Sequence, residues 1–94
     1  MDIQVVAEAG FLGCQSQERQ YSAFEINGHQ IDEARIEQAY RGNIHLVAKI
    51  DGKQKKRVIR SKTSEYEEIV NTGIMNITDS ELKTMIGKYF LGGD

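Results

Sequence analysis

Apolar residues recur along this chain with two different spacings, and each change of spacing marks where one element gives way to the next. IQVVAEA at 3–9 is rich in β-branched side chains and alternates imperfectly, which predicts a strand buried on at least one face. GFLGCQSQERQ at 10–20 breaks the pattern and predicts a loop anchored by Phe11 and Leu12. YSAFEI at 21–26 predicts a second strand. It runs into Asn27-Gly28, whose residues both tolerate positive φ, so a tight turn is expected, with His29 to Ile31 pairing back briefly.

Helical signals come next. Asp32 can serve as an N-cap, and Ile31 and Ile36 stand at the N′ and N4 spacing of a hydrophobic staple. Glu37 and Arg41 form an i,i+4 pair, and Gly42 supplies a stop. Together they predict a first helix over 33–41 that buries Ile36, Ala39 and Tyr40. IHLVAKI at 44–50 then alternates, placing Ile44, Leu46, Ala48 and Ile50 on one face before Asp51-Gly52 turns the chain into KQKKRVIR. This is the clearest β-hairpin in the sequence.

Two capping boxes follow, Ser64 with Glu67 and Thr78 with Glu81. The first opens a helix that ends at Gly73 in a Schellman arrangement, with Ile74 touching Ile69. The second, stapled by Ile77 and Leu82, opens a helix with Leu82, Met85, Ile86, Tyr89 and Phe90 on one amphipathic stripe. The order β-β-α-β-β-α-α predicts an α+β two-layer domain: an antiparallel or mixed sheet of about four strands with two to three helices on one face. Residues 1–94 are read as a single domain, because 94 residues with 39% hydrophobic content supply one core and no second.

Composition narrows the functional classes. No apolar run approaches the roughly 18 residues that would span a bilayer. The start MDIQVVAEAGF has an early Asp and no basic leader segment, so a chain neither secreted nor membrane-associated is expected, in the cytoplasm. Cys14 is the only cysteine, which rules out an internal disulfide and a multi-cysteine metal site. No glycine-rich phosphate loop or nucleophile elbow occurs, so no cofactor is expected. His29 and His45 belong to no metal-ligand spacing, and neither forms a recognisable nucleophilic pair with Cys14. Glu65, Glu67 and Glu68 crowd the first turn of a helix, where the macrodipole favours negative charge, and no catalytic carboxylate site is read there.

Charge is the most informative global feature. Residues 1–48 hold seven acids and three bases, 49–62 one acid and seven bases, and 63–94 six acids and two bases. The middle segment therefore carries +6 against −8 for the remainder. The candidate binding residues are Lys53, Lys55, Lys56, Arg57, Arg60 and Lys62. Lys53, Lys55 and Arg57 should point to one side of the strand and Lys56 and Arg60 to the other, so both faces near the turn are cationic and the hairpin at 49–62 is expected to protrude into solvent. Its register stays open, because Asp51-Gly52 suits a two-residue turn or a three-residue loop with a bulge.

Three readings of these cations compete. They can guard an exposed sheet edge against aggregation, a common use of lysine. They can dock on an acidic protein surface. They can also bind nucleic acid, with the ribbon in a major groove; six phosphate contacts would give a log–log salt slope of about −5. Overall acidity and the lack of aromatic residues between Lys53 and Lys62 weigh against nucleic acid. The stripe Leu82, Met85, Ile86, Tyr89 and Phe90 is either core or a homodimer face. The function expected is that of a non-catalytic binding protein, a regulator or inhibitor in stoichiometric contact with a larger protein partner; nucleic-acid binding is the alternative, and an enzyme assembled from scattered residues ranks last.

Overall fold

Two left-handed turns set the register of the sheet. Asn27 and Gly28 have φ of +52° and +82°, and Asp51 and Gly52 have +51° and +84°. Both are two-residue turns of the kind whose twist matches that of the strands they join, which is why Asn-Gly and Asp-Gly occupy them. The computed structural model describes residues 16–38 and 42–92. The strand expected at 3–9, the anchor at Phe11 and Leu12, Cys14, and Ala39, Tyr40 and Arg41 lie outside the described residues.

The strands are β1 (Gln17–Gln20), β2 (Phe24–Ile26), β3 (His29–Gln38), β4 (Ile44–Ile50) and β5 (Lys53–Ile59). They are followed by α1 (Ser64–Thr72), a 3₁₀ turn (Ile74–Asn76) and α2 (Asp79–Phe90). All pairings are antiparallel. β1 and β2 lie end to end along one side of the long β3, followed by β4 and then β5, which is the outermost of the described strands. The described residues thus form an α+β fold, with a five-stranded antiparallel sheet and two helices. No described helix is long and apolar enough to cross a membrane.

The first helix expected from the sequence is a strand as far as it is described: residues 33–38 belong to β3. The cause is a bulge. Asp32 pairs with Lys49 and Arg35 with Val47, so Glu33 and Ala34 together face the single Ala48. Glu33 takes φ of +53°. That extra residue shifts the phase of the strand, and Ile31, Ala34 and Ile36 all end on the core face at 0%, 1% and 0% exposure. Residues 17–20, expected as loop, form β1 instead.

The core joins the inward residues of β3, β4 and the end of β5 to Ile69, Ile74, Ile77, Leu82 and Ile86. Of the expected α2 stripe, Leu82 and Ile86 are fully buried, while Met85, Tyr89 and Phe90 pack partly against them. Leu82 and Ile86 thus belong to the chain's own core. Both helix starts are capped. Thr78 and Glu81 form the expected reciprocal box. For α1 the cap is Thr63, one residue earlier than expected, whose hydroxyl accepts from the Tyr66 N–H at 3.2 Å. At its other end Gly73, at φ +89°, donates to the Ile69 carbonyl.

An arginine with no signal in the hydrophobic pattern clamps the helical layer. Arg19 points from β1 toward the 3₁₀ turn and donates to the carbonyls of Met75 (2.9 Å) and Ile77 (2.7 Å), with Asp79 at 3.8 Å. Its guanidinium lies over the Tyr21 ring, whose hydroxyl also donates to Ile77 O. Charge-assisted bonds to backbone carbonyls contribute more than neutral ones. Arg19→Met, which keeps the stem and removes the donors, is expected to lower stability by about 2 kcal/mol, read from the urea midpoint.

Candidate functional site: a basic sheet edge

β5 pairs with β4 without interruption, from Ile50↔Lys53 through Ala48↔Lys55 and Leu46↔Arg57 to Ile44↔Ile59. The turn is the two-residue form. Because opposed residues share a face, Lys53, Lys55 and Arg57 lie on the helix side of the sheet with Ile50, Ala48 and Leu46, and Lys56 lies on the other side with Val47. The division of cations between two faces is the one expected from the strand period.

The hairpin does not stand clear of the body. β4 is buried at Ile44, Leu46, Val47, Ala48 and Ile50, between β3 and β5. The tip is also fastened: the Asp51 N–H donates to Gln30 O at 2.9 Å, and the Asp51 carboxylate accepts from the Gln30 N–H at 3.0 Å and meets His29 Nδ1 at 2.6 Å. The expected protruding arm is therefore a basic strand laid along the margin of the described sheet. Its partner strand carries too many apolar residues to leave the sheet, so the two strands are not available as a free ribbon.

Hydrogen bonds to His29 and to the Gln30 amide hold the Asp51 carboxyl below its ordinary value of 3.8. A depressed folded-state pKa contributes stability that is complete above the ordinary value and is lost as pH falls through the depressed one. Asp51→Asn keeps a residue that tolerates the left-handed turn and removes the charge. The wild type should exceed it in urea midpoint at about pH 6 and converge with it near about pH 2.

Of the seven cations in segment 49–62, six remain once the Lys49 pair is taken out. Lys49 sits 3.6 Å from Glu33, Arg35 donates to Glu37 at 2.5 Å, and His45 lies 3.9 Å from the same Glu37. The Glu37 bond also raises the Arg35 pKa above its ordinary value. Lys53, Lys55, Lys56, Arg57, Arg60 and Lys62 are all exposed, and no carboxylate among the described residues lies within ion-pair distance of any of them. Lys62 is held at φ +73° in the turn before α1.

One cation is oriented by an aromatic ring that sequence spacing could not connect to it. The Arg57 guanidinium lies 4.5 Å from the centre of the Tyr89 ring at the far end of α2. Burial, then Glu65, raises the Tyr89 hydroxyl above its ordinary 10.0, so the ring is a neutral phenol at physiological pH. Arg57, Arg60, Thr63, Glu65 and Tyr89 line a shallow cleft of about 230 Å³ where β5 meets α1. The edge thus offers one fixed guanidinium and several free ammonium groups, chemistry suited to carboxylates or phosphates.

The remaining sequence candidates are dispersed. Glu65 and Glu67 sit in the first turn of α1, His29 is hydrogen-bonded to Asp51, and His45 lies 3.9 Å from Glu37. Among the described residues no three His, Cys, Asp or Glu side chains converge as metal ligands do. Comparison with protein-family models, with curated proteins and with solved structures finds no match to this chain.

Proposed function

We propose that this chain is a non-catalytic binding protein of the regulator or inhibitor type, which meets an acidic protein partner through the edge Lys53–Arg57 extended by Arg60 and Lys62. One observation carries the reading: six exposed cations share one edge without a carboxylate counterpart among the described residues, in a chain of net charge −2. A field of this kind steers association and disfavours partners of like charge. The incorporation of β5 and its buried partner β4 into the sheet favours a protein surface over the groove of a duplex, which would require a free ribbon. Nucleic acid remains the second reading through backbone phosphates, supported by the Arg57–Tyr89 stack.

The test is affinity for polyglutamate at low salt, measured for the wild type and for Lys55→Gln, Lys56→Gln and Arg57→Gln combined. These residues are exposed, so the thermal midpoint should stay close to that of the wild type. Binding is expected to fall by about tenfold or more and to weaken steeply with added salt. Equal binding by the variant would reduce the cations to guards of the edge. Tighter binding of an oligonucleotide of equal charge would transfer the proposal to nucleic acid.

A further inference from the structure

Backbone polarity at β5 goes beyond charge. In a two-residue hairpin the closing pair is hydrogen-bonded, here Ile50 with Lys53, and bonded and non-bonded pairs alternate from there. The N–H and C=O groups of Lys53, Lys55, Arg57 and Ile59 therefore face β4. Those of Gln54, Lys56 and Val58 face outward, where no described strand meets them. β5 carries neither a bulge nor a proline, and every residue from Lys53 to Val58 is exposed, Val58 at 40%. Such an edge is a template for a further strand unless something discourages pairing.

Its charge decides which strand it accepts. A second copy laid antiparallel and centred on Lys56 would set Lys56 against Lys56 and Lys55 against Arg57, which opposed like charges disfavour. An acidic strand reverses the sign. Lys53, Lys55 and Arg57 recur at every second position on one face, so carboxylates at alternate positions of an incoming strand would each meet a cation. We propose that β5 receives an extended segment of the partner protein as an added strand, its acidic residues at alternate positions facing Lys53, Lys55 and Arg57 and its backbone bonded to Gln54, Lys56 and Val58. This rests on the acidic-partner reading above and specifies how that partner binds.

The experiment uses the full chain and a capped peptide of alternating Glu and Thr, matching the seven residues of β5. Two further versions are N-methylated at every second residue, one in each phase, which leaves the charge unchanged. On binding the parent peptide, the amides of Gln54, Lys56 and Val58 should exchange more slowly with solvent. One methylated phase should bind about tenfold or more weakly and the other like the parent, since only one presents its N–H groups to the edge. If both phases bind as the parent does, the ladder is refuted while charge-driven docking stands. If neither the peptide nor polyglutamate binds at low salt, the underlying reading fails as well. Self-association through β5, or preferential protection of these amides by an oligonucleotide, would also overturn the proposal.

Discussion

Leu82→Ala is expected to remove about 3–4 kcal/mol of stability, the upper part of the range for a leucine deleted from a packed interior. Leu82 is 0% exposed and joins α2 to the sheet-face cluster that includes Ile36, Leu46 and Ile77. The site cannot collapse easily to fill the loss. Its backbone N–H donates to Thr78 O at 2.9 Å, and the reciprocal Thr78–Glu81 cap fixes the start of the helix on which it sits. The deletion therefore leaves a cavity as well as lost contact. In a domain whose whole stability is on the order of 5–10 kcal/mol, such a change takes about half of it. Urea unfolding should show a lower midpoint with an unchanged slope. Met75→Ala, on a side chain 53% exposed, should change stability by no more than about 0.5 kcal/mol. Equal effects at the two positions would mean that the core has been wrongly located.

Residues whose side chains obey one uninterrupted period were legible from the sequence. Ile44, Leu46, Ala48 and Ile50 alternate as read, and β4 and β5 fall where their pattern puts them. Leu82 and Ile86 recur at the helical spacing, and the Thr78–Glu81 box is formed. β3 was concealed because its bulge makes Ile31, Ala34 and Ile36 follow spacings of three and two, which an Asp at 32 and a Glu at 37 dress as a helix. β1 was concealed for a different reason. QERQ has no apolar face, and it is held by backbone pairing to β3 and by the reach of Arg19 to the 3₁₀ turn.

The candidate site divides in the same manner. The identity of the basic residues and their partition between two faces follow from sequence and strand period alone. That β5 is the outermost described strand, tied at its tip through Asp51, depends on pairing between distant segments, which composition does not encode. The pairing of Arg57 with Tyr89 across 32 positions likewise has no local signature. A buried β4 turned the projecting arm into a margin. This matters for function, because a margin presents backbone as well as charge, whereas an arm would present charge alone.

The bulge leads to a sharp contrast between two single-residue deletions. Removing Glu33 leaves Ile31, Asp32, Ala34, Arg35 and Ile36 in strict alternation, with Ala34 facing Ala48 one to one. The core residues keep their face, and a left-handed non-glycine residue worth about 1–2 kcal/mol of strain is lost along with an exposed Lys49 pair. This variant should fold cooperatively, within about 2 kcal/mol of the wild type. Removing Val47 from β4 does the opposite. β4 pairs on both sides, so a slip by one position turns either Ile44 and Leu46 or Ala48 and Ile50 away from the helices, and in the latter case brings Lys49 inward. Each large side chain so exposed costs about 1.5–3 kcal/mol, and a lysine aimed into the core adds more, which together match the stability available. No cooperative thermal transition is expected for that deletion. Loss of folding on removing Glu33, with retention on removing Val47, would show that the extra residue of this sheet is not the one at position 33.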